Sequence, residues 1–274
     1  MEKSVVLITG ASTGIGYSTS LFLSKMGWHV YAGVRKPADL DKLNKLESVT
    51  AVILDVNNEL EIEEAINLID KNEGRLDGLV NNAGISVSGP LMLLDKKDIQ
   101  KQFDTNVIGL HMITKAAFQL LRKSKGRIIN ISSVAGKLSF PFMGPYCMSK
   151  HAVEAYSDAL RRELYSLGIK VVLIEPGSVK TPMFSKGRKG REEDPRLKGT
   201  IFEMMANNFM KSANEDGEKN GLDPVVISQL ILKGLIHKNP KDRYTKTENN
   251  FKTYLMRKMS PKILDKILNK MITN

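Results

Sequence analysis

The sequence predicts an α/β fold, a doubly wound parallel sheet with helices on both faces. Three observations carry this. Short apolar runs, several rich in Val and Ile, alternate with helix-patterned segments from the first residues to about residue 175. The segments between them are long enough for right-handed crossover helices, which parallel pairing requires. A glycine-rich turn, Thr9-Gly-Ala-Ser-Thr-Gly14-Ile-Gly16, joins the first run to the first helix. With 274 residues and 42% hydrophobic content, the chain can bury a full core as one domain spanning residues 1–274.

Val5–Ile8 reads as the first strand. His29–Gly33, Ala51–Leu54, Gly78–Val80, Arg127–Ile131 and Lys170–Ile174 read as the next five. Glu59–Glu73 sets Leu60, Ile62, Ala65, Ile66 and Ile69 among carboxylates, an amphipathic helix pattern. Thr105–Arg122 and His151–Leu167 read as further long helices. After Pro176-Gly177 the pattern loosens. Residues 184–221 are polar, with Gly187, Gly190 and Gly199, and enclose a short apolar run, Ile201–Met205. An excursion of this length reads as a lid or binding loop, with a plain linker as the alternative. Asp223-Pro224 then opens a helix over Val225–Ile236, proline sitting near its first turn. Residues 239–274 form a C-terminal extension. In it Ile263, Leu264, Ile267, Leu268, Met271 and Ile272 make one stripe and Lys262, Lys266 and Lys270 another.

The single cysteine, Cys147, excludes an internal disulfide framework and fits a reducing compartment. It reads as a small packing residue beside a pocket rather than a nucleophile, since no His shares its motif. Val5–Ile8 is too short for a signal h-region, and no stretch approaches a membrane span. The expected location is the cytoplasm. The net charge of +11 is uneven: residues 180–274 hold 20 Lys/Arg against 11 Asp/Glu, a net of +9. A lysine-rich solvated face explains this most simply, and no nucleic-acid motif accompanies it.

Tyr146 and Lys150 lie four residues apart at the start of a helix-patterned run, so both side chains project from one face. A tyrosine titrates near pH 10 and is a poor proton carrier at neutral pH, and a nearby lysine cation favours its phenolate. Ser133 follows the apolar run that ends at Ile131. A hydroxyl at a strand end and a Tyr/Lys pair on the next helix can meet above the sheet, where open α/β folds gather ligands. The combination suggests oxidoreduction of an alcohol or ketone.

Thr9–Gly16 matches the TGxxxGxG motif of short-chain dehydrogenases/reductases. Asn81-Asn-Ala-Gly84, Asn106, Ser133, the Tyr146/Lys150 pair, and Pro176-Gly177 with Thr181 follow in register. The chain resembles that family over residues 4–181, which implies a Rossmann-like dinucleotide-binding domain. By the resemblance Gly10, Gly14 and Gly16 form the phosphate turn, with Ser12, Thr13 and Ile15 along the cofactor. Asp55 meets the adenine, and Asn82, Ala83 and Gly84 line the adenosine ribose. Pro176, Gly177, Val179 and Thr181 hold the nicotinamide carboxamide and a nearby phosphate. The resemblance further implies that Tyr146 is the general acid/base and that Ser133 polarises the substrate oxygen. Lys150 lowers the tyrosine pKa and binds the nicotinamide ribose, and Asn106 holds a water linking Lys150 to solvent. No metal is expected.

Relatives that prefer NAD carry an acid at the end of the second strand, where this chain reads Val34-Arg35-Lys36. A guanidinium can bind a 2′-phosphate bidentately, so NADP is favoured and NAD is the alternative. Many NADP-using relatives carry a second basic residue in the glycine turn, where this chain has Thr13; Lys36 can substitute for it, and Arg35 as a solvated loop charge is the plain alternative. The C-terminal third resembles the tail of retinol and hydroxysteroid dehydrogenases, implying a lipophilic small-molecule alcohol or carbonyl substrate. Two other readings stand beside it, a reductase of small or carrier-bound acyl substrates and a nonenzymatic dinucleotide sensor. A homodimer or homotetramer is expected through the helices over Thr105–Arg122 and His151–Leu167. The terminal apolar stripe reads as a pocket cover or subunit contact ahead of a peripheral membrane contact.

Overall fold

A computed structural model describes residues 3–183 and 194–273. Seven parallel strands form one sheet in the order β3-β2-β1-β4-β5-β6-β7. They are β1 (Val5–Ile8), β2 (His29–Val34), β3 (Val49–Ile53), β4 (Gly78–Asn81), β5 (Arg127–Ile131), β6 (Lys170–Pro176) and β7 (Arg243–Lys246). The six strands expected from the sequence are present, with ends shifted by at most two residues. β7 is an addition. Arg-Tyr-Thr-Lys is too short and too charged to read as a strand, and it is one only because β6 offers an open edge.

Alternation along the strands builds two cores. Val6 and Ile8 of β1 face helices α1 (Gly14–Lys25) and α2 (Leu40–Asn44), and Val5 and Leu7 face α3 (Glu59–Glu73). The second face is completed by α5 (Gly109–Ser124) and α6 (Gly144–Glu163), with α4 (Lys96–Phe103) packed against α6. The C-terminal part adds α7 (Glu203–Asn220), α8 (Pro224–Ile236), α9 (Asn250–Lys258) and α10 (Pro261–Thr273). α8 joins α1 on the first face, where Ile227, Ile231 and Leu235 are buried and Ser228 meets Ser18 and Thr19 at 3.0 and 3.1 Å.

Two expectations need correction. The helix expected over Thr105–Arg122 is interrupted: α4 ends at Phe103 and Asp104–Ile108 form a π turn before α5 begins. The wider turn directs Thr105 and Asn106 into the protein, where both are buried. The polar excursion is also less of a loop than its composition suggests. Residues 184–193 lie outside the described residues, but Glu203–Asn220 is a helix anchored by buried Ala206 and Phe209. Its sparse apolar row was diluted among Asn, Glu and Lys.

Arg127, the first residue of β5, donates through Nη1 to the carbonyls of Gly234 (2.8 Å) and His237 (2.6 Å) at the end of α8. A cation there satisfies orphan carbonyls and opposes the negative end of the helix dipole. Arg127→Ala should therefore lower unfolding stability by about 1–3 kcal/mol, with Arg127→Lys recovering part of it. Urea denaturation of the three proteins checks this.

Candidate functional site

The sheet order reverses between β1 and β4, and a crevice opens there at the carboxyl ends of the strands. Its floor is the glycine turn. Thr9 Oγ1 accepts from the backbone amides of Asn82 (3.0 Å) and Ala83 (2.9 Å), and Asn82 Nδ2 donates back to the carbonyls of Thr9 (2.9 Å) and Gly10 (3.1 Å). Gly10 has φ +65°, and a Cβ on it would lie 2.9 Å from Ala83 Cα. A Cβ on Gly16 would lie 2.4 Å from the Gly10 carbonyl oxygen and 2.6 Å from Asn82 Nδ2. Side chains are excluded at both positions, and the open N-terminus of α1 faces the crevice.

On the other side of the cleft stand Ser133, Tyr146 and Lys150. Ser133 follows β5 and caps a short 3₁₀ turn, its Oγ accepting from Ala135 N at 3.1 Å. Tyr146 and Lys150 occupy the first two turns of α6, both 5% exposed. Lys150 Nζ donates to the Ile131 carbonyl at 2.8 Å and lies 5.7 Å from the centre of the Tyr146 ring. Burial pushes the Tyr146 phenol up to about 12, a hydrogen bond with Ser133 drawing it partly back. Burial pushes the Lys150 ammonium down to about 8, against the nearby Glu154 carboxylate that raises it. Desolvation thus outweighs the expected lysine effect on the tyrosine in this arrangement.

Glu154 was not foreseen. It lies one turn beyond Lys150 on α6 and is 3% exposed, its Oε2 held by Arg243 Nε at 3.0 Å and Lys137 Nζ at 3.3 Å. The i, i+4 spacing from Lys150 was its only sequence signal. Cys147 is buried, and burial pushes its thiol up, in keeping with a packing role.

The expected site residues Gly10, Ser12, Thr13, Gly14, Ile15, Arg35, Asp55, Asn82, Ala83, Gly84, Ser133, Tyr146, Lys150, Pro176, Gly177, Val179 and Thr181 line one cleft of about 510 Å³. Gly16 and Asn106 lie behind its wall. Asn106 Oδ1 accepts from Ile85 N (2.9 Å), and its Nδ2 donates to Ile85 O (3.1 Å) and Ser149 Oγ (3.1 Å). Lys36 is exposed and does not line the cleft, whereas Arg35 does. Arg196, Asp194 and Asp98 at the mouth were missed. Arg196 pairs locally with Asp194 (2.7 Å) and, across about a hundred residues, with Asp98 (2.7 Å) and Asp95 (2.9 Å), contacts that leave no local pattern.

The sequence model of the short chain dehydrogenase family matches residues 4–192. The chain belongs to this family and is an oxidoreductase. It is 36% identical over 246 residues to 3-ketodihydrosphingosine reductase of Bacteroides thetaiotaomicron, covering 89% of this chain and 87% of that one. It is 39% identical over 257 residues to retinol dehydrogenase 16 of Mus musculus, covering 89% and 81%. The NADP-bound structure of ElxO superposes with a TM-score of 0.73 at 29% identity, covering 90% of this chain and 97% of that one. The expected likeness to the retinol dehydrogenase group therefore holds, and a nonenzymatic sensor is excluded.

The buried amine has a measurable consequence in this short-chain dehydrogenase. Lys150 titrates near 8 when folded and near 10.5 when unfolded, so between those values the unfolded chain binds the extra proton. Stability should rise with pH through that window, and burying the cation below pH 8 costs up to about 3 kcal/mol. Above about pH 10 Tyr146 acts in the opposite sense, since its folded pKa is the higher one. Lys150→Met should flatten the rise between about pH 8 and 10. Denaturation midpoints of both proteins across that range check it.

Proposed function

We propose that the protein interconverts a lipophilic alcohol and its ketone or aldehyde using NADP(H). The observation that carries this reading is the meeting of Ser133, Tyr146 and Lys150 in the same cleft as the side-chain-free glycine turn. That turn suits a pyrophosphate, because Gly10 and Gly14 adopt positive φ and neither Gly10 nor Gly16 has room for a Cβ. Gly10, Ser12, Thr13, Gly14 and Ile15 would hold the phosphates, and Arg35 the 2′-phosphate. Asp55 would meet the adenine and Asn82–Gly84 the adjoining ribose. Pro176, Gly177, Val179 and Thr181 would hold the carboxamide end. The bound dinucleotide supplies the hydride that reduces the carbonyl carbon.

Ser133 donates a hydrogen bond to the substrate oxygen, and Tyr146 transfers its proton to that oxygen as negative charge develops. The phenol, pushed up to about 12 by burial, carries its proton at neutral pH, the form that reduction requires. Lys150, still largely charged at that pH, stabilises the phenolate left behind. The Asn106 amide braces Ser149 on α6 against the loop at Ile85, so its part is to position the helix that carries Tyr146.

The substrate class rests on the relatives and on the cleft surroundings. 3-Ketodihydrosphingosine and retinol each carry a long apolar portion. Beside Tyr146 here, Phe140, Phe142, Met183, Phe209 and Ile272 form an apolar cluster. An apolar groove of about 170 Å³ lies on Leu91, Met92, Phe140, Phe142 and Phe202. The run Ile201–Met205 contributes less than its sequence suggested: Phe202 lines the groove, while Ile201 and Met204 are exposed. Assembly as a homodimer or homotetramer through α5 and α6 is part of the same reading, and exposed Ile108 just before α5, Met148 on α6 and Tyr165 just after α6 support it.

Tyr146→Phe should lower turnover on a panel of long-chain ketones roughly 10²–10⁴-fold while NADPH still binds. NADPH oxidation and a fluorescence titration read the two effects, and near-normal turnover would reject the mechanism. Arg35→Ala should weaken NADP(H) binding about ten- to a hundredfold and leave NAD(H) binding nearly unchanged. Titrations of both dinucleotides into both proteins decide it; equal wild-type affinities would remove the NADP preference.

A further inference from the structure

The C-terminal helices carry apolar side chains that their packing does not use. α10 presents two rows. Leu264, Leu268 and Ile272 turn inward, Leu268 being buried and Ile272 joining the apolar cluster beside Tyr146. The Ile272 carbonyl also accepts from Asn208 Nδ2 of α7 at 3.2 Å. One position earlier, Ile263 and Ile267 are 52% and 39% exposed. In α9 no residue is buried, and Phe251, Tyr254 and Leu255 are 71%, 58% and 41% exposed. Their i, i+3, i+4 spacing puts all three on one face. An inward row already attaches α10, so these outward side chains do nothing for the fold.

The same two helices are strongly basic. From Asn249 to the C-terminus the chain holds six Lys/Arg against one acid, Asp265. Arg257 is spent on buried Glu175 at 2.8 Å. Lys252, Lys258, Lys262, Lys266 and Lys270 make no ion pair among the described residues. Lys258 shares the face of Phe251 and Leu255, and Lys266 and Lys270 flank Ile263 and Ile267, by helical spacing.

We propose that α9 and α10 form a docking surface for an anionic lipid bilayer. Exposed aromatic and aliphatic groups enter the interfacial region while flanking lysines meet the headgroups. A second copy of the chain fits poorly, because pairing these faces would bring the unpaired lysines of both copies together. A nucleic acid would use the lysines but leave Leu255, Ile263 and Ile267 against a polar backbone. The surface also lies at the cleft end of the sheet. α9 is tied by Arg257 to Glu175, one residue before Pro176 and Gly177 of the cleft, and Ile272 of α10 lies beside Tyr146. Docking there places the cleft against the phase in which lipophilic carbonyl compounds dissolve.

Flotation of the full chain tests this with vesicles of phosphatidylcholine alone and of phosphatidylcholine mixed with phosphatidylglycerol. The expected result is partition onto the phosphatidylglycerol vesicles, weakened by added salt. Lys258→Glu combined with Lys262→Glu should reduce it about tenfold or more, and Phe251→Ser combined with Leu255→Ser by a similar factor. All four positions are exposed, and retained NADPH binding with an unchanged circular dichroism spectrum confirms the fold. No partition onto anionic vesicles would overturn the proposal. So would equal partition onto neutral vesicles, undiminished partition in either double variant, or self-association that both double variants abolish in sedimentation. Partition is read without turnover, so the docking surface and the proposed reaction fail separately.

Discussion

The clasp between the turn after β1 and the loop after β4 is the constraint on which the rest of the site depends. Thr9 and Gly10 on one side and Asn82 and Ala83 on the other exchange four hydrogen bonds across the point where the sheet order reverses. They hold the two loops at a separation that no Cβ at Gly10 or Gly16 could share. Those partly buried backbone groups are thereby satisfied, and the α1 N-terminus stays open toward the crevice. On the far side of β4, Asn81 Nδ2 reaches Thr114 Oγ1 and Asn130 Oδ1, and Asn130 Nδ2 reaches Ser157 of α6. This second chain links β4 to β5 and to the helix bearing Tyr146, so the two walls of the cleft are positioned by adjacent polar contacts.

Burial dominates the electrostatics within those walls. Removing water pushes Tyr146 up and Lys150 down, each toward its neutral form. The protein opposes this for the lysine with Glu154, a carboxylate anchored by Arg243 from β7. Arg243 Nε also lies 3.4 Å from buried Glu175, which Thr245 and Arg257 bond at 2.7 and 2.8 Å. The charge on Lys150 is therefore linked, through ion pairs in a low-dielectric region, to the C-terminal strand and to α9. Loss of one partner in such a network leaves a buried charge uncompensated, the costly case for ion pairs.

The C-terminal third serves two opposite solvation demands. Phe209 and Ile272 seal the apolar side of Tyr146, and Leu268 fixes α10 to the body of the protein. The outer faces of α9 and α10 keep aromatic and aliphatic groups in contact with solvent among unpaired lysines. The helix pair is thus attached by one row of side chains and presents another.

Much of the fold and most of the cleft were legible in the chain because their causes are local. Strand alternation, crossover length, glycine at the turn and the i, i+4 Tyr146/Lys150 pair all act within a few residues or within one repeating unit. Helix α3 matched its expected ends, Glu59 and Glu73, because its apolar period and its Asn58 cap coincide. Tertiary structure decided what depends on distant partners. β7 exists because β6 leaves an edge for it, and α7 because Phe209 finds a buried place beside Tyr146. The π turn at Asn106 accompanies amide bonds to Ile85 and Ser149. Arg196 reaches Asp95 and Asp98 from about a hundred residues away. A sequence records which residues can bury, turn or ionise; burial itself, and with it the shifted charges of Tyr146 and Lys150, arises only when segments far apart in the chain exclude water from the same volume.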